Sequence, residues 1–149
     1  MGNIRHIFIA SERGGPMRSV PEVAAGAERG LTGGRYDDAK HRKSPDCQVT
    51  LIELEQIDAF VAQSGLPLAP HEPRRNLVTV GVSLNELQGK RFVVGGAELE
   101  GLELCEPCAT FAGRTHREVL RAFVRRGGLR CRIIRSGVIR AGDVVTPVA

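Results

Sequence analysis

Two clusters in this chain could do chemistry. The first is Cys105-Glu106-Pro107-Cys108, a thiol pair spaced by two residues. A thiolate is a soft metal ligand and a nucleophile, and it forms persulfides and disulfides readily. The second is Arg74-Arg75-Asn76, preceded by Pro73 and followed by the β-rich Leu77-Val78-Thr79. Two forked guanidinium groups and an amide at a strand entrance suit a phosphate or another anion. Pro70 and Pro73 stiffen the approach, which favours a fixed loop.

Three chemistries are open for the thiols. A structural zinc site needs four ligands, and the nearest further ones are Cys131 and His116, with no second CxxC or HxxxH pattern. A thioredoxin-like redox pair requires both thiols at a helix start in a βαβ context, which the flanks do not supply. The third is a reactive thiolate, which needs a lowered pKa from nearby cations or a helix N-terminus; the plain alternative is two ordinary thiols in a turn. Cys47 and Cys131 read differently. Each belongs to a β-rich run, and Cys131 shares a face with Leu129 and Ile133, so both are expected in the core.

The elements that must position these groups are mostly strands. Ile4 to Ala10 opens the chain as a strand, and Ser11 to Pro16 is a loop. The Ala-rich stretch Glu22 to Glu28 reads as one or two helical turns. Gly30, Gly33 and Gly34 lead to Arg35 and Tyr36; glycine there permits a tight turn and lets the main chain approach a ligand closely. Cys47 to Glu53 is a strand. A short helix follows to Ser64, with Ile57, Phe60 and Val61 at helical spacing and Gly65 and Pro67 as its stop. Leu77 to Val82, Arg91 to Val94 and Ala97 to Leu104 are further strands, the last two joined by a Gly95-Gly96 hairpin turn. Ser83 with Glu86, and Thr115 with Glu118, are capping-box patterns for short helices. The second of these carries Val119, Leu120, Phe123 and Val124 on one face and ends at Gly127-Gly128. Leu129, Cys131 and Ile133 alternate with Arg130 and Arg132, a strand with one wet face. Gly137 to Asp143 predicts a last hairpin. The sum is a mostly-β, α+β chain with a few short helices, most simply a barrel.

Composition narrows the function. At 149 residues, a single domain spanning 1–149 is expected. Apolar residues at 42% and charged residues at 26% describe a globular chain rather than a disordered one. Lys and Arg outnumber Asp and Glu by 21 to 17, a net charge of +4, which suits an anionic small ligand. One tyrosine and no tryptophan give no stacking platform for specific nucleic-acid binding. No apolar run has the length of a membrane span, and no secretory signal pattern is present, so a cytoplasmic protein with free thiols is expected.

The order of the blocks resembles the MOSC domain, the module at the C-terminus of molybdenum cofactor sulfurases. Gly30-Leu31-Thr32-Gly33-Gly34-Arg35-Tyr36 resembles that family's early glycine block, with Gly34 in place of its usual aspartate. Cys47 to Glu55, Arg74 to Thr79, Leu87 to Phe92, Cys105 to Cys108, Gly127-Gly128-Leu129 and Gly137 to Asp143 resemble its later blocks in order. The resemblance implies a MOSC-type β-barrel with a few short peripheral helices. It also implies molybdenum cofactor (molybdopterin) as ligand, with Cys108 as the molybdenum ligand or the persulfide carrier. By the same resemblance, Arg74 and Asn76 lie near the pterin and its phosphate, and Arg75, Arg35, Tyr36 and Cys105 are further candidates for the cofactor pocket.

Two activities follow from the resemblance: molybdenum-dependent reduction of N-hydroxylated compounds with an electron-transfer partner, or sulfur transfer fed by a cysteine desulfurase partner. A non-catalytic cofactor- or anion-binding module is the alternative from another class, and a CxxC thiol redox protein is a further one. Pyridoxal phosphate goes with the family only through the desulfurase domain of its larger members and is not expected on this chain.

Overall fold

A computed structural model describes residues 2–12, 14–34 and 48–148. Strand β1 (Asn3–Ile9) runs antiparallel to β6 (Leu77–Val80) and to the two-residue β2 (Arg18–Ser19). Strand β5 (Val49–Glu53) pairs parallel with β6, and helix α1 (Leu54–Ser64) makes the crossover between them. Such a connection is what a parallel pair requires. On its other side β5 meets β9 (Leu129–Arg135), which pairs with β8 (Ala97–Leu104). The β8 strand forms a hairpin with β7 (Arg91–Val94), and β7 pairs with β11 (Val145–Pro147). The result is one eight-stranded sheet in the order β11-β7-β8-β9-β5-β6-β1-β2. A second sheet places β3 (Glu22–Gly26) between β10 (Gly137–Arg140) and β4 (Gly30–Leu31).

Side chains on successive strand residues point to opposite faces, and here the two faces feed two cores. Ile7, Leu51 and Leu77 join Phe92, Leu99, Leu129 and Ile133 inside the curl of the large sheet. Their neighbours Phe8, Ile52 and Val78 point the other way, into a second core with Ile57, Phe60, Phe111, Val119 and Phe123. That second core lies beneath α1, α2 (Ala109–Arg114) and α3 (Val119–Ala122). Cys131 sits with Leu129 and Ile133 in the first core, while Arg130 and Arg132 on the wet face pair with Glu103 and Glu100.

Helix α1 ends as its sequence dictates. Gly65 is left-handed at φ 73° and donates its N–H to Val61 O, closing the last turn. Several expectations fail; α3 itself stops at Ala122, short of Gly127-Gly128, with Leu120 and Val124 exposed rather than packed beside Val119 and Phe123. Glu22 to Gly26 is a strand, because Val23 and Ala25 alternate into the core and β10 and β4 supply ladder partners on both sides. Pairing outweighs the helical preference of alanine there. Ser83 does not cap; Glu53 accepts from Leu84 N–H instead, and Leu84–Leu87 is a single 3-10 turn. Thr115 donates backwards to Phe111 O and so closes α2 rather than opening α3. Gly137–Arg140 pairs with β3 rather than forming a hairpin of its own.

The ladders among the described residues leave the large sheet open, so a closed barrel is not what they form. The two ends of the sheet nevertheless meet. An isolated bridge joins Asn3 to Val144, and Ile4 N–H donates to Asp143 O while Gly142 N–H donates to Ile4 O. Cys47, Arg35 and Tyr36 lie outside the described residues.

Candidate functional site

The cysteine loop is fastened at one end and free at the other. Cys105 is fully buried, and its N–H donates to Gly128 O. Glu106 accepts from Arg125 N–H at 2.8 Å, which ties the loop to the turn before β9. Cys108 precedes the first residue of α2, and its thiol is exposed. Burial pushes the Cys105 thiol above its usual range, against the opposing pull of the Arg75 and Arg130 guanidinium groups and an Arg75 hydrogen bond. Cys131 is pushed up further by burial and by Cys105 beside it. The two thiols of the CxxC therefore differ sharply: one is a packed, protonated anchor and the other a solvent-facing sulfur.

The arginine loop lies across from it. Arg74 holds a left-handed backbone at φ 62°, a conformation that costs a residue with a Cβ on the order of 1 kcal/mol or more. Arg75 is the strut of the site. Its Nε donates to Gly127 O and its Nη1 to Pro73 O, both at 3.0 Å, and it also bonds the Cys105 sulfur. One guanidinium thus joins the arginine loop, the cysteine loop and the Gly127-Gly128 turn. Asn76 ties three strands together: its Oδ1 accepts from Thr50 N–H at 3.1 Å, and its Nδ2 donates to Phe8 O at 3.1 Å.

These groups border one cavity of about 220 Å³. Cys108, Arg74, Arg75 and Asn76, all singled out in the sequence, line it together. Cys105 is not part of its wall; it reaches the cavity only through Arg75. The structure adds Thr110 and Arg114 from α2, Arg130 from β9, and Thr50 and Gln48 at the start of β5. Gly34 and Gln48, the described residues on either side of residues 35–47, both border the cavity. Sequence reasoning missed Arg114 because α2 went unread. Its available signal was the spacing of Thr110 and Arg114, which puts both on one helical face. Arg130 was read only as a wet-face residue.

The wall is strongly cationic. Among the described residues, Arg74, Arg75, Arg114 and Arg130 share the wall with one carboxylate, Glu72, one oxygen of which accepts from Ala69 N–H at 2.7 Å. Such a cavity takes anions, and one soft sulfur stands at its edge. Among the described residues no group of three or more His, Cys, Asp and Glu side chains could hold a metal ion. His116, weighed as a zinc ligand, stacks on Phe60 with its Nε2 2.7 Å from Pro67 O. Cys131 lies in the strand core.

The domain is mostly β, and its arginine-lined cavity has an exposed thiol at its edge. The chain belongs to the MOSC domain family, whose model matches residues 38–146. Solved structures share the fold. The YuaD protein of Bacillus subtilis aligns with a TM-score of 0.83 at 17% identity, over 97% of this chain and 94% of that one. YiiM of Geobacillus stearothermophilus gives 0.76 at 18% identity, over 100% of this chain and 76% of that one. YiiM of Escherichia coli gives 0.67 at 18% identity, over 99% and 68%. No curated protein sequence matches this chain.

Proposed function

We propose that this domain binds molybdenum cofactor in the arginine-lined cavity, with Cys108 as its reactive sulfur. The observation that carries the reading is the sharing of one cavity wall by an exposed thiol and four arginines. The donor set fits the group: soft thiolate suits molybdenum, and forked guanidinium donors suit the phosphate of the pterin. Cys108 would hold the metal, and Arg74 and Arg130 the anionic end. Arg75 acts by holding the two loops together, and Asn76 by fixing the strand ends beneath them. When bound, the cofactor supplies the redox centre for reducing N-hydroxylated compounds, fed by an electron-transfer protein in the cytoplasm. On this reading the contact between the ends of the large sheet, at Asn3 and Val144, is the seam of a MOSC-type barrel.

Sulfur carriage as a Cys108 persulfide, loaded by a cysteine desulfurase, is the second reading. The exposure of Cys108 favours it, since a persulfide must be reached by donor and acceptor. A CxxC disulfide mechanism fits less well, because Cys105 is buried and bonded to Arg75.

The test is molybdenum and pterin content per protein, for wild type and Cys108→Ala, purified without air from a cofactor-producing host. Stoichiometric molybdenum in wild type that falls in the variant supports the cofactor site. Molybdenum in neither sinks it and leaves the carrier reading, whose signature is a one-sulfur mass increment on Cys108.

A further inference from the structure

A second, more open cavity of about 290 Å³ adjoins the first. It shares Met17, Glu72, Arg74 and Arg114 with the inner one and adds Pro16, His71 and Thr115. We infer that this outer alcove is a binding site for a carboxylate or similar oxyanion on the small-molecule substrate, with Arg114 as its specificity-determining residue. The inference rests on the proposed reaction at Cys108 and names the class of substrate that the site would take.

Charge and geometry carry it. Among the described residues the alcove holds two guanidinium groups against one carboxylate, and Glu72 already accepts a hydrogen bond from Ala69 N–H. Among the described residues, Arg114 makes no hydrogen bond or ion pair, so its forked donors are available to a ligand. The loop at Gly14 passes beside it; a Cβ built on Gly14 would lie 3.3 Å from an Arg114 terminal nitrogen. Thr115, at the end of α2, is held by Phe111 O, which fixes the helix end that carries Arg114. Cys108 and Arg114 bracket the same short helix. At 1.5 Å of rise per residue their backbones stand about 9 Å apart, the span of a small aromatic ligand with a reacting group at one end and an anion at the other.

The test compares benzamidoxime with para-carboxybenzamidoxime, which present the same N-hydroxyamidine and differ by one carboxylate. Their affinities for the full chain are measured by titration calorimetry, on protein with cofactor and on protein stripped of it. The carboxylated ligand is expected to bind wild type about tenfold more tightly or better, as a charge-assisted arginine pair supplies. Arg114→Gln should bring the ratio to about one, and Arg114→Lys should keep part of it. Equal affinities in wild type, an unchanged ratio in Arg114→Gln, or no binding of either ligand to either form would each overturn the inference. Metal content separates this outcome from failure of the cofactor reading: a chain without molybdenum that still prefers the carboxylate, through Arg114, keeps the alcove and loses the cofactor.

Discussion

Asn76 shows how a residue with a cofactor-site pattern can owe its identity to the scaffold. Its amide satisfies Thr50 N–H and Phe8 O together, a pairing that alanine cannot replace and aspartate can replace only in part. Each half-buried backbone group left without a partner costs about 1 kcal/mol or more. Asn76→Ala should therefore lose about 2 kcal/mol in urea unfolding, and Asn76→Asp about half of that. The thiols give a second prediction. In the native protein, iodoacetamide should modify Cys108 and spare Cys105 and Cys131, as read by peptide mass mapping; rapid labelling of Cys105 would contradict its place under Arg75. Burial also sets a pH dependence. Both buried thiols hold their protons in the folded state above the pH at which the unfolded chain releases them. Below the unfolded thiol value of about 8.5, both states are protonated and this contribution is constant. Above it, stability falls by up to about 1.4 kcal/mol per pH unit for each thiol, until the folded state ionises as well. Cys131→Ala should flatten the decline in urea midpoint between about pH 9 and 10, and an unchanged slope would remove the burial argument.

At the scale of elements, the readable parts were those with a period of their own. The β8 and β9 strands alternate buried and half-exposed residues as their sequences do, and α1 ends at Gly65. The unreadable parts were decided by distant partners. The β3 strand is a strand because β10 and β4 flank it, and α2 is too short to show a period. The arginine and cysteine loops were both legible as chemistry, but their meeting at one cavity depends on β5, β6 and β9 lying side by side. Gly127-Gly128 reads as a helix stop, yet α3 already ends at Ala122 and the constraint on the pair is proximity. A Cβ on Gly128, at φ 110°, would fall 1.9 Å from Leu51 O, and one on Gly127 would fall 2.1 Å from Cys105 O. Gly128→Ala should cost more than about 3 kcal/mol or prevent folding, since both backbone strain and overlap oppose it. Gly113 is the contrast. It lies in α2 with open space around its Cα, so Gly113→Ala should raise stability by about 0.5–1 kcal/mol through helix propensity alone.

For the molecule as a whole, the question is what happens at the ends of an eight-stranded sheet. Exposed strand edges invite pairing with other chains. Here β2 has two residues, and β11 has three and ends in Pro147, so neither offers a long template. The inner side of the gap is bound instead. Ile4 N–H donates to Asp143 O, Gly142 N–H to Ile4 O at 2.7 Å, and Val145 N–H to Gly2 O. Asp143 also shapes the turn, accepting from Arg140 N–H through its side chain at 2.7 Å. If this seam is part of the cooperative fold, the Ile4 and Val145 amides should exchange hydrogen as slowly as the Leu99 and Ile133 amides of the β8–β9 ladder, through global unfolding only. Asp143→Ala should then open the seam locally. Exchange at Ile4, Gly142 and Val145 should accelerate by about tenfold or more relative to the β8–β9 amides, the effect of losing one turn hydrogen bond of about 1.5 kcal/mol. Fast exchange at Ile4 and Val145 in wild type would mean that the two ends only touch. The large sheet would then behave as open, with its stability resting on the two cores that β1, β5 and β6 separate.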